Sequence, residues 1–358
     1  MGARPGGCAP FLWPCAKLRL AAPVHPAKLR VRKGGLAMKD LKFRVLLLGG
    51  TGTIGRATAA ALLAEGHGVW ALVRPGTDPA KLPGCTLIEG DVSHPDTVAR
   101  VLKDHPCAAI VSCLASRTGL PADAWAIDDR AHAHALEAAM EARVRKFVLL
   151  SAICVQKPYL EFQKAKLAFE AQLRGSPLEW SIVRPTAFFK SLSGQIPRVQ
   201  KGKPFLVFGD GRITACKPIS DADLGRFLTS CLSDPEKVRK VLPIGGPGPA
   251  ITPLDQAAML ERLTGQPVKI RHVTPKLMDA IVGVLSVLGK FSPKLAGKAE
   301  LARIGRYYAS ESMLLWNPVK GCYDADATPE FGTDRFEDYV AAMLRGEIAD
   351  DRGDHAIF

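Results

Sequence analysis

The sequence predicts an α/β fold built on a doubly wound parallel sheet, with a smaller, mostly helical C-terminal lobe. Three observations carry this. An apolar strand, Phe43 to Leu48, runs into Gly49-Gly50-Thr51-Gly52-Thr53-Ile54-Gly55 and then a small-residue helix, Arg56 to Glu65. Strands and helices then alternate as far as Arg184, the pattern of parallel strands joined by crossover helices. Finally, 358 residues with 47% hydrophobic and 23% charged side chains can bury one large core or two smaller ones.

Each element follows from local signals. Glycines 49, 52 and 55 have GxxGxxG spacing. The first permits a tight turn, the second lets a pyrophosphate approach the backbone, and the third lets helix and strand pack closely. With Thr53 and Ile54, the helix start offers unpaired amides and a dipole to phosphate charge. The second strand, Val69 to Val73, ends in Arg74-Pro75-Gly76, with no acid before Asp78. An acid at that position would bind both ribose hydroxyls of NAD, whereas an arginine pairs with the 2′-phosphate of NADP, so NADPH is the expected cofactor. Thr86 to Glu89 is the third strand, and Asp91 beyond it is placed to hold the adenine amino group. Pro95 to Lys103 reads as a helix, Ala108 to Ser112 as a strand, and Asp123 to Ala142 as one long helix. Phe147 to Ser151, Leu160 to Leu173 and Trp180 to Arg184 continue the alternation. Ligands of such sheets lie beyond the carboxyl ends of the strands, where Cys113, Ser151 and Pro185-Thr186 fall. Further on, Pro218 to Phe227 reads as a helix start capped by Ser220 or Asp221. Thr252 is the expected cap of another, with Pro253 at its first position.

Charge and cysteines narrow the function. The net charge is +13, but seven basic residues lie in the acid-free first 38 positions, leaving a mildly basic body. That distribution argues for targeting rather than for a nucleic-acid-binding face. Residues 1–38 read as a transit peptide. The segment lacks Ser and Thr, and the alternative is a leader with initiation at Met38. The body then divides into a dinucleotide-binding core over 39–186 and a substrate lobe with interleaved core elements over 187–358. Nine scattered cysteines without CxxC spacing suggest no metal and no disulfide framework. No apolar run is long enough to span a bilayer. The closest, Met278 to Phe291, reads as a core helix by default and otherwise as an interfacial one in peripheral contact with a membrane.

The chemistry turns on a missing residue. The arrangement resembles the extended short-chain dehydrogenases of Rossmann fold, which carry Tyr-x-x-x-Lys on the helix after the fifth strand. Here none of the five tyrosines has a lysine four positions on, and that register holds Phe162-Gln163-Lys164-Ala165-Lys166. Phenylalanine cannot exchange a proton, so ordinary ketone or alcohol reduction loses its acid. Either the chain binds a dinucleotide without catalysis, or it transfers hydride to an acceptor needing no tyrosine, such as an alkene conjugated to a large π-system. In the second case Lys166 grips the nicotinamide ribose and Ser151 orients the ring or the substrate.

Several longer segments are more specific. Leu150 to Pro158, Glu161 to Glu170, Ser181 to Ser191, Phe208 to Gly211, Cys216 to Ser220, Val241 to Gly248 and Ile304 to Met313 resemble the plant and algal divinyl chlorophyllide 8-vinyl-reductases, over Phe43 to the C-terminus. Membership implies NADPH-dependent reduction of the 8-vinyl group of divinyl chlorophyllide or protochlorophyllide to ethyl, in the chloroplast. The substrate would be a flat magnesium tetrapyrrole with a propionate, for which Phe188 or Phe189 is the expected ring contact and Lys190 the expected cation. An isoflavone-reductase-like enzyme and a non-catalytic NADPH sensor are the competing readings.

Overall fold

The computed structural model describes residues 43–348, so the expected leader lies outside the described residues. The chain runs β1 (Arg44–Leu48), α1 (Thr53–Ala64), β2 (Gly68–Val73), β3 (Thr86–Glu89), α2 (Thr97–Asp104) and β4 (Ala109–Ser112). Then come α3 (Pro121–Ala124), a wide π-helical stretch (Trp125–Ala131), α4 (His132–Glu141), β5 (Lys146–Leu150), α5 (Glu161–Gly175) and β6 (Glu179–Pro185). The second half holds α6 (Phe189–Leu192), α7 (Ile196–Gln200), β7 (Phe205–Phe208), α8 (Asp221–Ser230), β8 (Lys240–Ile244), α9 (Pro253–Thr264) and β9 (Ile270–Val273). It ends with α10 (Pro275–Gly289), α11 (Pro293–Tyr308), β10 (Leu315–Asn317), β11 (Cys322–Asp324) and α12 (Phe336–Leu344).

Seven strands form one sheet in the order β3-β2-β1-β4-β5-β6-β8, every pair parallel. Strand order reverses between β1 and β4, and that reversal places the ligand crevice beyond their carboxyl ends. Because helices cover both faces, the central strands are apolar on both sides. Val45 and Leu47 face α1 and α8, meeting Leu62, Leu224 and Leu228. Leu46 and Leu48 face the other layer with Val98, Leu136, Phe147 and Phe169. A separate cluster of Phe189, Phe205, Val207, Leu260, Phe336 and Val340 forms the core of the lobe. The second half is therefore not lobe alone, since it also supplies β8 to the sheet and α8 against α1.

The capping signals hold. Ser220 accepts from the Asp223 amide, and Thr252 and Asp255 form a reciprocal capping box with Pro253 in the first turn. Two helices depart from expectation. The long helix from Asp123 is interrupted by the π stretch, whose wider turn rotates Asp128 inward until it is 1% exposed. The 278–291 helix does not pack in the core: α10 contains no buried residue at all.

One buried polar pair ties the central sheet to α4. His132 holds Nδ1 2.8 Å from the Ile127 carbonyl and Nε2 2.8 Å from the Ser112 hydroxyl, with its ring stacked on Phe169. A carbonyl only accepts, so the proton belongs on Nδ1 and Ser112 donates to Nε2. Burial, with the Lys166 charge assisting, pushes the imidazole down to about 4. The unfolded chain therefore takes up this proton near pH 6.5, the folded chain only near 4. Stability is expected to fall as pH drops between those values, by about 3 kcal/mol from this residue. Urea midpoints against pH should show a shallower acid slope for His132→Gln than for the wild type.

Candidate active site

The site grows from the turn after β1. Gly49 has φ +72°, and a Cβ there would lie 2.7 Å from the Cys113 backbone. At Gly55 a Cβ would sit 2.2 Å from the Gly49 carbonyl, so both glycines are required by the chain's own packing. Gly52 is different: a Cβ there would meet nothing closer than 3.5 Å, so the protein itself leaves that face open. No side-chain cap satisfies the first amides of α1. An open glycine at an uncapped helix start fits a dinucleotide pyrophosphate. Lys190 adds a cation by donating to Thr53 Oγ1 at 3.0 Å.

Arg74 lies exposed at the end of β2, and its charge reaches the Asp91 carboxylate. Asp91 accepts from the Ser93 amide and hydroxyl at 2.9 and 2.7 Å; these bonds hold it below the usual carboxylate range. Cys113 contributes backbone rather than chemistry. Its thiol turns toward Thr58, and burial pushes it up to about 12.

Across the switch point, α5 presents Lys166. Its ammonium donates to Asp128 at 2.8 Å, with the lysine side chain 11% exposed and the carboxylate enclosed. Asp128 also accepts, at longer range, from the Ser116 amide. One turn earlier on α5, Phe162 joins a cluster with Cys154, Leu160, Ile304, Tyr307, Tyr308 and Met313. Tyr307 donates to the Cys154 carbonyl at 2.9 Å, while Tyr308 has only a weak 3.9 Å contact to the Cys154 sulfur. Burial raises both phenols well above their ordinary value, so both stay protonated. The Gln163 side-chain amide also lies within this region, fully buried, with no acceptor for Nε2 among the described residues.

Four of the expected residues have the following surroundings. The Ser151 hydroxyl donates to Glu170 at 2.6 Å, and Glu170 pairs with both arms of Arg184. That network joins α5 to β6 inside the core. Phe189 belongs to the lobe core, 5.4 Å from the Phe336 ring and 5.5 Å from Tyr339. Lys190 stands at the glycine turn, not in an aromatic slot. Phe188 is half-buried and paired through its backbone with Ile219. A further aromatic group, here termed the aromatic wall, comprises Tyr159, Phe162, Tyr307 and Tyr308, with Tyr159 and Tyr307 in edge contact at 6.1 Å.

Sequence reasoning missed Asp128, Glu170 and Arg184; for Tyr307 and Tyr308 it offered entry into the cleft from the C-terminal lobe beside structural packing, and favoured packing. Only Asp128 had a local signal, as an acid on a helix face otherwise turned to the sheet. A hollow of about 300 Å³ beside Arg145, Glu179 and Leu232 lies at the opposite ends of the strands, far from these groups.

Fold and site define an NAD(P)H-binding protein of the short-chain reductase type, and the profile of an NAD(P)H-binding family matches residues 49–235. The divinyl chlorophyllide a 8-vinyl-reductase of Zea mays is 46% identical over 358 residues, covering 95% of this chain and 89% of its own. The chain belongs to that reductase family. A photosystem II assembly factor of Trieres chinensis is 27% identical, covering 84% of this chain and 94% of its own. In fold, the chain is similar to an NADPH-dependent quinone oxidoreductase of Escherichia coli solved with NADPH (TM-score 0.62, 18% identity, 84% and 99% covered).

Ser151→Ala is expected to lower stability by about 1–2 kcal/mol, by removing one bond to a buried carboxylate. It should leave kcat and KM within about twofold, since the hydroxyl is engaged by Glu170. Thermal melts and steady-state kinetics on one preparation check both halves.

Proposed function

We propose that this protein reduces the 8-vinyl group of a divinyl chlorophyllide-type magnesium tetrapyrrole to ethyl, with NADPH as reductant, in the chloroplast. The observation that carries the reading is the 46% identity to a reductase of that name across nearly both whole chains. The site chemistry supports it independently, through a lysine without its tyrosine and an arginine after β2.

NADPH, when bound, supplies the hydride. The chain's own groups have distinct tasks. Gly49, Gly52 and Gly55, with the Thr53 and Ile54 amides, receive the diphosphate, and Lys190 at Thr53 adds positive charge. Arg74 meets the 2′-phosphate, and the open oxygen of Asp91 takes the adenine side. Lys166, fixed by Asp128, addresses the nicotinamide ribose. The backbone of Cys113 closes the floor. On this reading the described residues up to 186 form the NADPH half, and those from 187 onward the lobe, with β8 and α8 as interleaved core elements.

The aromatic wall of Tyr159, Phe162, Tyr307 and Tyr308 suits a flat macrocycle. Hydride addition to the vinyl group leaves negative charge spread over the conjugated ring, so no acid is needed during that step. One proton must still reach carbon. Tyr308 is the suitable source, because its phenol is protonated and held only by a weak sulfur contact, whereas the Tyr307 proton is committed to a carbonyl.

Anaerobic incubation of the full chain with NADPH and divinyl chlorophyllide should yield pigment two hydrogens heavier, with matching NADPH loss, by chromatography and mass spectrometry. Tight NADPH binding with unchanged pigment, beside a working control reductase, would favour a non-catalytic sensor. Tyr308→Phe should lower kcat about 100-fold with NADPH affinity unchanged. An unchanged kcat would assign the proton to solvent.

A further inference from the structure

The outer face of α10 has no partner among the described residues. Leu277, Ile281, Val284 and Leu288 recur at spacings of four, three and four, forming one stripe on a helix. Val287 and Phe291 flank it. These side chains are strongly exposed: Leu277 54%, Val284 60%, Val287 58% and Phe291 85%. The other face of α10 is already used, packing on α11 so closely that a Cβ at Gly289 would meet the Ala296 backbone at 2.9 Å. The helix is therefore apolar on both sides, and one side faces solvent. Isolated exposed apolar residues need no explanation, but a continuous stripe of this kind marks an interaction site.

Charge selects the partner. Between residues 274 and 299 the cations are Lys276, Lys290, Lys294 and Lys298, and the sole acid is Asp279, which is neutralised by Arg306 at 2.6 Å. All four lysines are exposed and make no ion pair among the described residues. An apolar stripe bordered by lysines matches a bilayer surface carrying anionic lipid, with the stripe among the acyl chains and the ammonium groups at the headgroups. A helix of 15 residues extends about 22 Å, short of the roughly 30 Å hydrocarbon core, so it lies along the surface. No helix of the described residues is long and apolar enough to cross a membrane.

We infer that α10 and the lysine-bearing start of α11 form a docking face for an anionic lipid bilayer. The same α11 ends in Tyr307 and Tyr308, so one rigid helix joins the docking face to the aromatic wall. This inference stands on the surface alone and does not need the reduction reading.

The test is sedimentation of the full chain with vesicles of zwitterionic lipid alone, or with about one-third anionic lipid. Wild type should bind the anionic vesicles, and less at high salt. Val284→Asp with Phe291→Asp should reduce partitioning at least tenfold while the melting temperature and NADPH affinity stay put, because both side chains are already in solvent. Lys290→Glu with Lys294→Glu should abolish the salt-sensitive part. Wild type remaining in the supernatant, or apolar variants binding equally, would overturn the inference. So would a concentration-dependent dimer, seen by ultracentrifugation without lipid and lost in the same variants, which would give the face to a second copy of this chain.

Discussion

The buried contact between Lys166 and Asp128 is the constraint on which the site depends. An ammonium and a carboxylate removed from water are costly unless each satisfies the other, and losing one partner of such a pair costs about 3–5 kcal/mol. The pair therefore fixes where α5 stands against the segment following β4. It also accounts for the π-helical stretch. A regular helix from Pro121 would carry Asp128 elsewhere, and the wider turn brings it beneath the lysine while leaving His132 to meet Ser112. His132, close to both charges, stays neutral and adds no third charge to the enclosure.

The glycine turn answers a different demand. Gly49 and Gly55 are dictated from within, by backbone pressing on backbone. Gly52 is dictated from outside, since nothing in the protein forbids a side chain there. That contrast separates a turn that merely folds from one that leaves room for a ligand. Lys190 reinforces it by reaching back from the lobe to the first residue of α1, which ties the lobe to the glycine turn through one side chain.

What was legible in the sequence was what is local. The glycine spacing, the strand-helix alternation, Arg74 and the Phe162–Lys166 register each sit within one or two adjacent elements, and the caps of α8 and α9 need only four residues. Contacts spanning long stretches of chain left no such trace. Asp128 meets Lys166 across 38 positions, and Tyr307 meets Cys154 across 153. A hydroxyl at a strand end, such as that of Ser151, reads the same in sequence whether it faces ligand or core. Only the Glu170–Arg184 pair beneath it decides. Phe189 failed for the parallel reason: aromatic character alone does not distinguish a ring contact from a lobe core.

Placing the phenols on α11 rather than α5 has a chemical logic. In carbonyl reduction, proton and hydride must arrive together, because an unprotonated alkoxide is too unstable to wait, and a phenol beside the lysine meets that need. A conjugated macrocycle relaxes the requirement by holding the negative charge itself. The donor is then free to stand on a different element, and position 162 is free to become apolar and shape the wall. The substitution that removes ordinary alcohol chemistry is thus the same one that fits the site to a flat, apolar acceptor.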